Sequence, residues 1–548
     1  MSSSGILPKP LSERLGDGRL EWLPGASPAA VGYEGECRGV AERAASFLSA
    51  ATGAPWSVSG DPSVPAFVRF RVGAPAGLGS AGGRSGPGDG SVPGAGSEAY
   101  SLDVGPAGVA CRSAGIAGLL YAFQGLRQLL PAAAEKAGGL GSGFSLPFAA
   151  IADRPRFVWR GFMLDEARHF FGTRAVKDIL DLMALLKLNV LHWHLNDDQG
   201  WRVEIDRYPE LTRVGSNRAD TAVGGFGSRA TAGEPYGGFY TKAEVREVVA
   251  YASSLCIAVV PEFEMPGHSS AALASYPELG CTGGPYAVET GQGIFPDIYC
   301  AGKESTFDFI EGVLDELLEL FPSEYFHIGG DEAPPTRWRS CPACRSRMRA
   351  EGLSSEAELG TWFLNRAAAR LASRGRRAVV WNDIMGDGLR PDAVGQYWLG
   401  DKRRFVSHMR RGRPAIMSDF WRAYLDYDYH LHPLRKAYAY EPVPPGFGDA
   451  DVLGIEAALW TEWVRDRDRL DRQAFPRLVA HAETAWSAAD ARAYGDFERR
   501  LVDFLPRLDA LGVGYAPRSE WNPAFFPRLA NNAALFLNIF RSTLRRRK

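Results

Sequence analysis

The 548-residue chain has no surplus of either charge: 62 lysines and arginines stand against 64 aspartates and glutamates, a net charge of -2. A near-neutral chain lacks the electrostatic footprint of a nucleic-acid binder, which must neutralise phosphates. Its one basic run, Leu544–Lys548, reads as a solvated end. No apolar run approaches the roughly 18 residues that span a bilayer, so no membrane partner is expected. Met1–Gly18 has neither the apolar segment nor the cleavage pattern of a signal peptide, and a cytoplasmic location is expected. Cysteine is scarce, with seven residues, and their spacing suggests no secreted disulfide framework. Cys341-Pro342-Ala343-Cys344 has the form of half a zinc site. No second C-x-x-C follows, so the expectation is two spare thiols or a local redox-sensitive pair, with no metal and no cofactor.

What is present is a large apolar fraction, 45%, spread over a chain long enough for two or three units. Residues 1–150 read as an α+β domain, with strands at Ala66–Val72 and twice within Ala99–Arg112, and helices at Ala44–Ala51 and Gly115–Leu130. Residues 73–98 are dominated by Gly, Ser, Ala and Pro and are expected to form a mobile loop. Nothing in this domain looks catalytic; its expected role is to pack against the next.

From Phe157 strand-like and helix-like segments alternate. Strands are expected at Trp159–Leu164, Asn189–Leu195, Cys256–Phe263, Tyr325–Ile328, Ala378–Trp381, Ala393–Trp398, Ala415–Phe420 and Val452–Trp460. Helices are expected at Arg174–Lys187, Lys242–Leu255, Phe307–Phe321, Glu356–Ser373 and Phe475–Trp486. Eight such units predict a (β/α)8 TIM barrel over residues 151–495, followed by a helical segment, 496–548, packed on it. The sixth and seventh units are the least clearly marked, because no long helix separates them from their neighbours.

A barrel of this kind carries its site at the C-terminal ends of its strands. The fourth strand ends in Gly329-Gly330-Asp331-Glu332, a turn into two adjacent carboxylates. Alone, such a pair is an exposed acidic turn; at a barrel rim it is a candidate for a shifted pKa. The other strand ends supply Asp165, Arg168 and His169; His192, His194, Asp197 and Asp198; Glu262, Glu264 and His268; Trp381, Asn382 and Asp383; Trp398; Trp421, Tyr424 and Asp426; and Trp460 and Glu462. Carboxylates and arginine hydrogen-bond hydroxyls, and indole faces stack on the C–H faces of sugar rings. The set therefore points to a carbohydrate pocket. Other readings stay open for single members. His192 and His194 suit a metal or a satisfied core, Asp197-Asp198 a helix cap, the tryptophans barrel packing, and Arg168 a structural ion pair.

The motifs resemble those of glycoside hydrolase family 20, the β-N-acetylhexosaminidases. The segments are Trp159–Phe171 (WRGFMLDEARHFF), Asn189–Arg202 (NVLHWHLNDDQGWR), Pro261–His268 (PEFEMPGH), His327–Glu332 (HIGGDE), Tyr424–Asp426 and Leu459–Glu462, in family order. Residues 1–150 are similar, more weakly, to the α+β domain that precedes the barrel in that family. The resemblance implies exo-acting, retaining hydrolysis in which the 2-acetamido oxygen of the substrate attacks C1, an exception to the two-carboxylate scheme. It implies Glu332 as general acid and base, Asp331 as the clamp on the acetamido N–H, and Tyr424 as the partner of the acetamido oxygen. Arg168, Asp426 and Glu462 then grip ring hydroxyls, Trp381, Trp398 and Trp460 wall the pocket, and Asp198 and His268 tune Glu332. The implied partner is an oligosaccharide or glycoconjugate with terminal β-GlcNAc or GalNAc. Three positions depart from the family pattern: Asn196 stands for the usual Thr, Glu264 for Asp in many members, and Asn382 separates Trp381 from the following acid. A retaining glycosidase with its own carboxylate nucleophile and a non-catalytic sugar-binding barrel are the alternatives. The DxxDxDxE strand motif of the chitinases is absent.

Overall fold

The computed structural model describes residues 3–78, 98–224 and 230–524. Most of the glycine-rich stretch and the basic C-terminal run, with the end of the helical segment, lie outside the described residues.

The first domain is a seven-stranded mixed sheet in the order Ser12–Trp22, Phe144–Asp153, Tyr100–Gly105, Gly108–Ser113, Val68–Val72, Ala30–Glu34, Ser57–Ser59. Helices Arg38–Thr52 and Ile116–Leu129 share one apolar core with it. Four of the seven strands were not expected from sequence. Ser12–Trp22 is an edge strand whose charged residues alternate with partly buried ones, and edge strands carry charge that hides their periodicity. Its pairing with Phe144–Asp153 is decided by a partner about 130 residues away in register, Trp22 opposite Phe144, which no local pattern encodes.

The second domain is a closed barrel of eight parallel strands. They are β1 (Trp159–Asp165), β2 (Val190–His194), β3 (Ala258–Glu262), β4 (Tyr325–His327), β5 (Arg377–Trp381), β6 (Val394–Tyr397), β7 (Ala415–Met417) and β8 (Gly454–Leu459). β8 returns to pair with β1, Gly454 opposite Trp159. The strands are buried on both faces, which is why they read as apolar runs. Helix Lys402–Arg410 separates β6 from β7, but only the short helices Phe420–Ala423 and Leu434–Tyr438 lie between β7 and β8. Pro433, Pro442, Pro444 and Pro445 interrupt that stretch.

Alternation along the strands fills the barrel in layers. Trp159, Val190, Val260, Tyr325, Val379, Val394 and Ile416 pack as the lowest, apolar layer. Two residues further along each strand the layer is polar: His192, Glu262, His327, Gln396 and Glu456. His192 Nδ1 lies 2.8 Å from Glu456 Oε1, His327 Nδ1 2.7 Å from Glu262 Oε1, and Gln396 Nε2 donates to Glu456 at 2.7 Å. Gly161 is required here, since a Cβ would stand 2.5 Å from Glu456 Oε2.

The domains meet through buried charge. Arg160, at the start of β1, donates to both oxygens of Glu98 at 2.7 and 3.1 Å and to Tyr121. Lys187, just before β2, pairs with Asp153 at 2.9 Å, whose other oxygen accepts from Trp486. Breaking such a buried pair on one side costs about 3–5 kcal/mol. The helix Tyr494–Ala510 closes the seam, with Arg507 on Glu135 and Leu130 O and Arg500 on Glu483. Among the described residues no helix is long and apolar enough to cross a membrane.

Candidate active site

The site is built on the C-terminal ends of the strands. After β4 the chain turns through Gly329 (φ 65°) and Gly330 (φ 106°), and Glu332 itself sits at φ 41°. Left-handed backbone at a non-glycine residue is strained and recurs where a side chain must be aimed. The turn rests on Glu264, whose Oε1 accepts from the Gly330 amide at 3.2 Å. A Cβ on Gly329 would lie 1.9 Å from that oxygen. Burial, with Asp331 and Glu262 nearby, holds the Glu264 carboxyl under the turn well above its usual range. Asn196 Oδ1 accepts from the Glu264 amide at 3.2 Å. Two of the three departures from the family pattern therefore touch each other beneath the rim.

Asp331 and Glu332 share one cation. His268 Nε2 lies 3.7 Å from Asp331 Oδ2 and 3.8 Å from Glu332 Oε2. Its Nδ1 lies 3.0 Å from Asp197 and 3.2 Å from Asp198. Burial disfavours the imidazolium, but Asp197 and Asp331 outweigh it and raise the His268 pKa well above its usual value. Burial raises the Asp331 carboxyl to about 7, with Asp383 and Glu332 adding to it and His268 opposing. Burial and Asp383 raise Glu332 as well, against His268 and Arg168. The Asp331 side chain is 13% exposed and the Glu332 side chain 33%, so the pair faces an opening. Asp331 Oδ1 and Asp426 Oδ1 are buried without a hydrogen-bond partner among the described residues, an arrangement that suits ligand donors.

Asp197, read from sequence as a strand-end carboxylate or as part of a helix cap, is a hub of the site. Besides His268 it binds Arg168 at 2.7 Å and His194 at 3.1 Å. Asp198 faces His268 with one oxygen and with the other accepts from the Ser270 amide and hydroxyl at 2.9 and 2.6 Å. Arg168 also donates to Asp165 at 3.1 Å and Gln199 at 2.8 Å, and lies 5.1 Å over the Trp460 ring. A guanidinium has five N–H groups, so two remain for a ligand. Asp165 shapes this arm by accepting from the amides of Ala167, Arg168 and Thr461.

The aromatic wall runs from β5 to β8. Trp381 is fully buried and donates to Glu262 at 2.8 Å; its ring lies 6.1 Å from Trp460. Trp398 stacks on Tyr424 at 6.2 Å and donates to Asp383 at 2.6 Å. Asn382 binds the Trp398 amide and Leu399 O. The shift of the acid by one residue thus lets Asn382 tie β5 to β6 while Asp383 holds the indole. Tyr424 and Asp426 follow β7. The backbone around them is pinned from below by Arg477, which donates to Leu425 O and Tyr427 O, and by Gln473, which donates to Asp426 O at 2.7 Å. Both come from the helices after β8, and no local signal marks them. Burial and the neighbouring Glu462 hold the Asp426 carboxyl well above its usual range. Burial raises Glu462 too, against the pull of Arg168.

Several of these donors converge closely enough to suggest a metal, notably His192, Glu262 and His327, and Asp197, Asp198 and His268. Yet the protein supplies its own cations. Against burial, Glu456 and Glu262 raise His192 to about 9, and Glu262 raises His194 to about 10. Each of the two clusters is held together by bonds between its own histidines and carboxylates. A separate groove of about 540 Å³, lined by Arg43, Phe47, Phe123, Asp181 and Tyr251 among others, contains no strand-end residue.

Residues 157–489 match the family model for the glycosyl hydrolase family 20 catalytic domain, and residues 3–154 that for family 20 domain 2. The chain is 40% identical over 432 residues to a β-hexosaminidase of Porphyromonas gingivalis, covering 76% of this chain but 54% of that protein. It is 33% identical over 541 residues to a β-N-acetylhexosaminidase of Cellulomonas fimi, covering 95% and 98%. Among solved structures, a mutant Streptomyces plicatus β-hexosaminidase in complex with the product GlcNAc superposes with a TM-score of 0.80 at 34% identity, covering 96% of this chain and 98% of that one. The Streptomyces coelicolor family 20 β-N-acetylhexosaminidase matches equally well, with a TM-score of 0.80 at 34% identity over 96% and 99%. With both of its domains matched in order and the carboxylate pair at the barrel rim, the chain belongs to glycosyl hydrolase family 20.

Proposed function

We propose that the chain is an exo-β-N-acetylhexosaminidase that removes terminal β-linked GlcNAc or GalNAc with retention, the acetamido group of the substrate serving as nucleophile. The observation that carries this reading is the Asp331-Glu332 turn: two carboxyls with raised pKa values on one cation, with an unpartnered Asp331 oxygen beside an aromatic wall. A proton-donating carboxyl and an acetamide clamp are needed side by side only where the acetamide reacts.

In the first step Glu332 gives its proton to the glycosidic oxygen as the C1–O bond breaks, and the acetamido oxygen bonds to C1 to form an oxazolinium ion. Asp331 accepts the acetamido N–H and faces the developing charge. In the second step water attacks C1, Glu332 takes its proton, and the C1–acetamido bond opens. Raised pKa values suit the acid. The ordered acetamide acts by proximity, and the buried carboxylate by fixed electrostatics. Tyr424, kept neutral far above its usual pKa by burial, is a donor suited to the acetamido oxygen. Arg168, Asp426 and Glu462 are assigned to ring hydroxyls, and Trp381, Trp398 and Trp460 to the pocket wall.

The test compares p-nitrophenyl β-GlcNAc, β-GalNAc and β-glucoside. Turnover of the acetamido sugars alone is expected. Equal turnover of the glucoside would transfer the nucleophile to the protein. Binding of GlcNAc without turnover of any substrate would make the chain a sugar-binding barrel.

A further inference from the structure

Four of the seven cysteines meet in one place. Cys281 and Cys300 lie in the long loop after β3, and Cys341 and Cys344 at the start of the helix Pro342–Ala350, which follows β4 and its carboxylates. Their sulfurs all lie within 4.8 Å of one another. Cys300 Sγ is 3.6 Å from Cys344 Sγ and 3.8 Å from Cys341 Sγ, and Cys281 Sγ is 3.8 Å from Cys344 Sγ. All four are free thiols. Cys341 and Cys344, expected to be two spare thiols or a local redox-sensitive pair, are free thiols that meet two further cysteines from upstream, which are not themselves a C-x-x-C pair.

The spacing fits a single tetrahedral ion. Four sulfurs at about 2.3 Å from a tetrahedral zinc are about 3.8 Å apart, the edge of that tetrahedron. A disulfide needs contact near 2.0 Å, and an iron–sulfur cluster, with several ions inside, needs its sulfurs further apart. Cys341 stands at the N-cap of the helix Pro342–Ala350 and Cys344 lies in its first turn, the end of a helix at which negative charge is favoured. Gly302 lets the Cys300 turn approach: a Cβ there would be 2.2 Å from the Ala343 carbonyl carbon and 2.4 Å from the Cys344 amide nitrogen. Four sulfurs brought this close from two separate segments form a ready-made ligand set for one cation.

We propose that Cys281, Cys300, Cys341 and Cys344 bind one structural zinc ion, which joins the loop after β3 to the segment after β4. The same two segments are also tied by Arg337 to Asp297 at 2.7 Å and by the Trp338 indole to Tyr299 O at 2.9 Å. With four protein sulfurs the ion has no open position, so its role is to hold the fold rather than to catalyse.

The test is metal analysis of the full chain, produced in zinc-supplemented medium and purified without chelators or an immobilised-metal column. One zinc per chain is expected, with a first shell of four sulfurs in X-ray absorption. Cys300→Ser should lose the metal and lower the thermal midpoint, while Cys256→Ser, outside the cluster, should keep both. If Cys300→Ser does not fold, the stoichiometry and sulfur shell of the wild type decide alone. Several results would overturn the proposal: metal-free protein whose native thiols all react with a thiol reagent, disulfides within the cluster in unreduced mass spectra, a zinc shell of nitrogen and oxygen, or iron in place of zinc.

Discussion

Replacing Asp331 by Asn keeps the shape of the side chain and removes its charge. In the proposed mechanism that charge stands against an oxazolinium cation formed within hydrogen-bonding distance. At about 4 Å and an effective dielectric of about 20, one charge pair is worth about 4 kcal/mol, or about a thousandfold in rate. The screened value for bulk water, about 1 kcal/mol, does not apply to a side chain that is 13% exposed. The expected result is a fall of about 10³ in kcat/KM for p-nitrophenyl β-GlcNAc, carried mainly by kcat, since the cation exists only beyond the ground state. The pH profile adds an independent check. Burial, Asp383 and Glu332 raise Asp331 to about 7 against His268, so wild-type kcat/KM should fall as pH drops through that value, and Asp331→Asn should lack this limb. Stability should move the other way. Above pH 7 the wild type keeps a buried charge at a cost, so the variant should melt higher there; the gap should narrow as pH falls below 7 and close only near the ordinary carboxyl pKa of about 4, where Asp331 is neutral in both folded and unfolded chains. A loss below about tenfold, or one confined to KM, would refute the electrostatic role.

Glu332→Gln should cost about 10²–10⁴ in kcat on natural leaving groups and distinctly less on an activated aryl glycoside, which departs without a proton; a loss independent of the leaving group would argue against general-acid catalysis. His268→Gln removes the cation that Asp331 and Glu332 share, so both carboxyls should titrate at higher pH and the acid limb of kcat/KM should move up; an unmoved limb would separate His268 from the pair. Gly329→Ala forces a side chain into left-handed backbone, worth about 1–2 kcal/mol, and against Glu264 at 1.9 Å, so it should lower both thermal midpoint and activity. A stable, active variant would show that the turn can move.

Much of the fold and the centre of the site were legible before any coordinates. The barrel strands are short apolar runs because both their faces are covered. The double glycine before Asp331 and Glu332 marks a turn that only glycine enters freely. These signals are local, so adjacent residues suffice to carry them. The edge strand Ser12–Trp22 was hidden because its exposed face is charged and its partner is distant.

What only the tertiary structure decided is partnership. Asp197 becomes a hub because the neighbouring strands β1 and β3 bring Arg168 and His268 to it, beside His194 at the end of its own strand. Arg477 and Gln473 aim Tyr424 and Asp426 from helices about 50 residues further along the chain. Cys281 and Cys300 reach Cys341 and Cys344 from a different loop, so a search for a second C-x-x-C passes over them. By itself the sequence determined the elements, their order and the residues available at each strand end, because periodicity and turn chemistry act within a few positions. It left open which charges neutralise each other, because that depends on distances of a few ångströms between segments that meet only when the barrel closes.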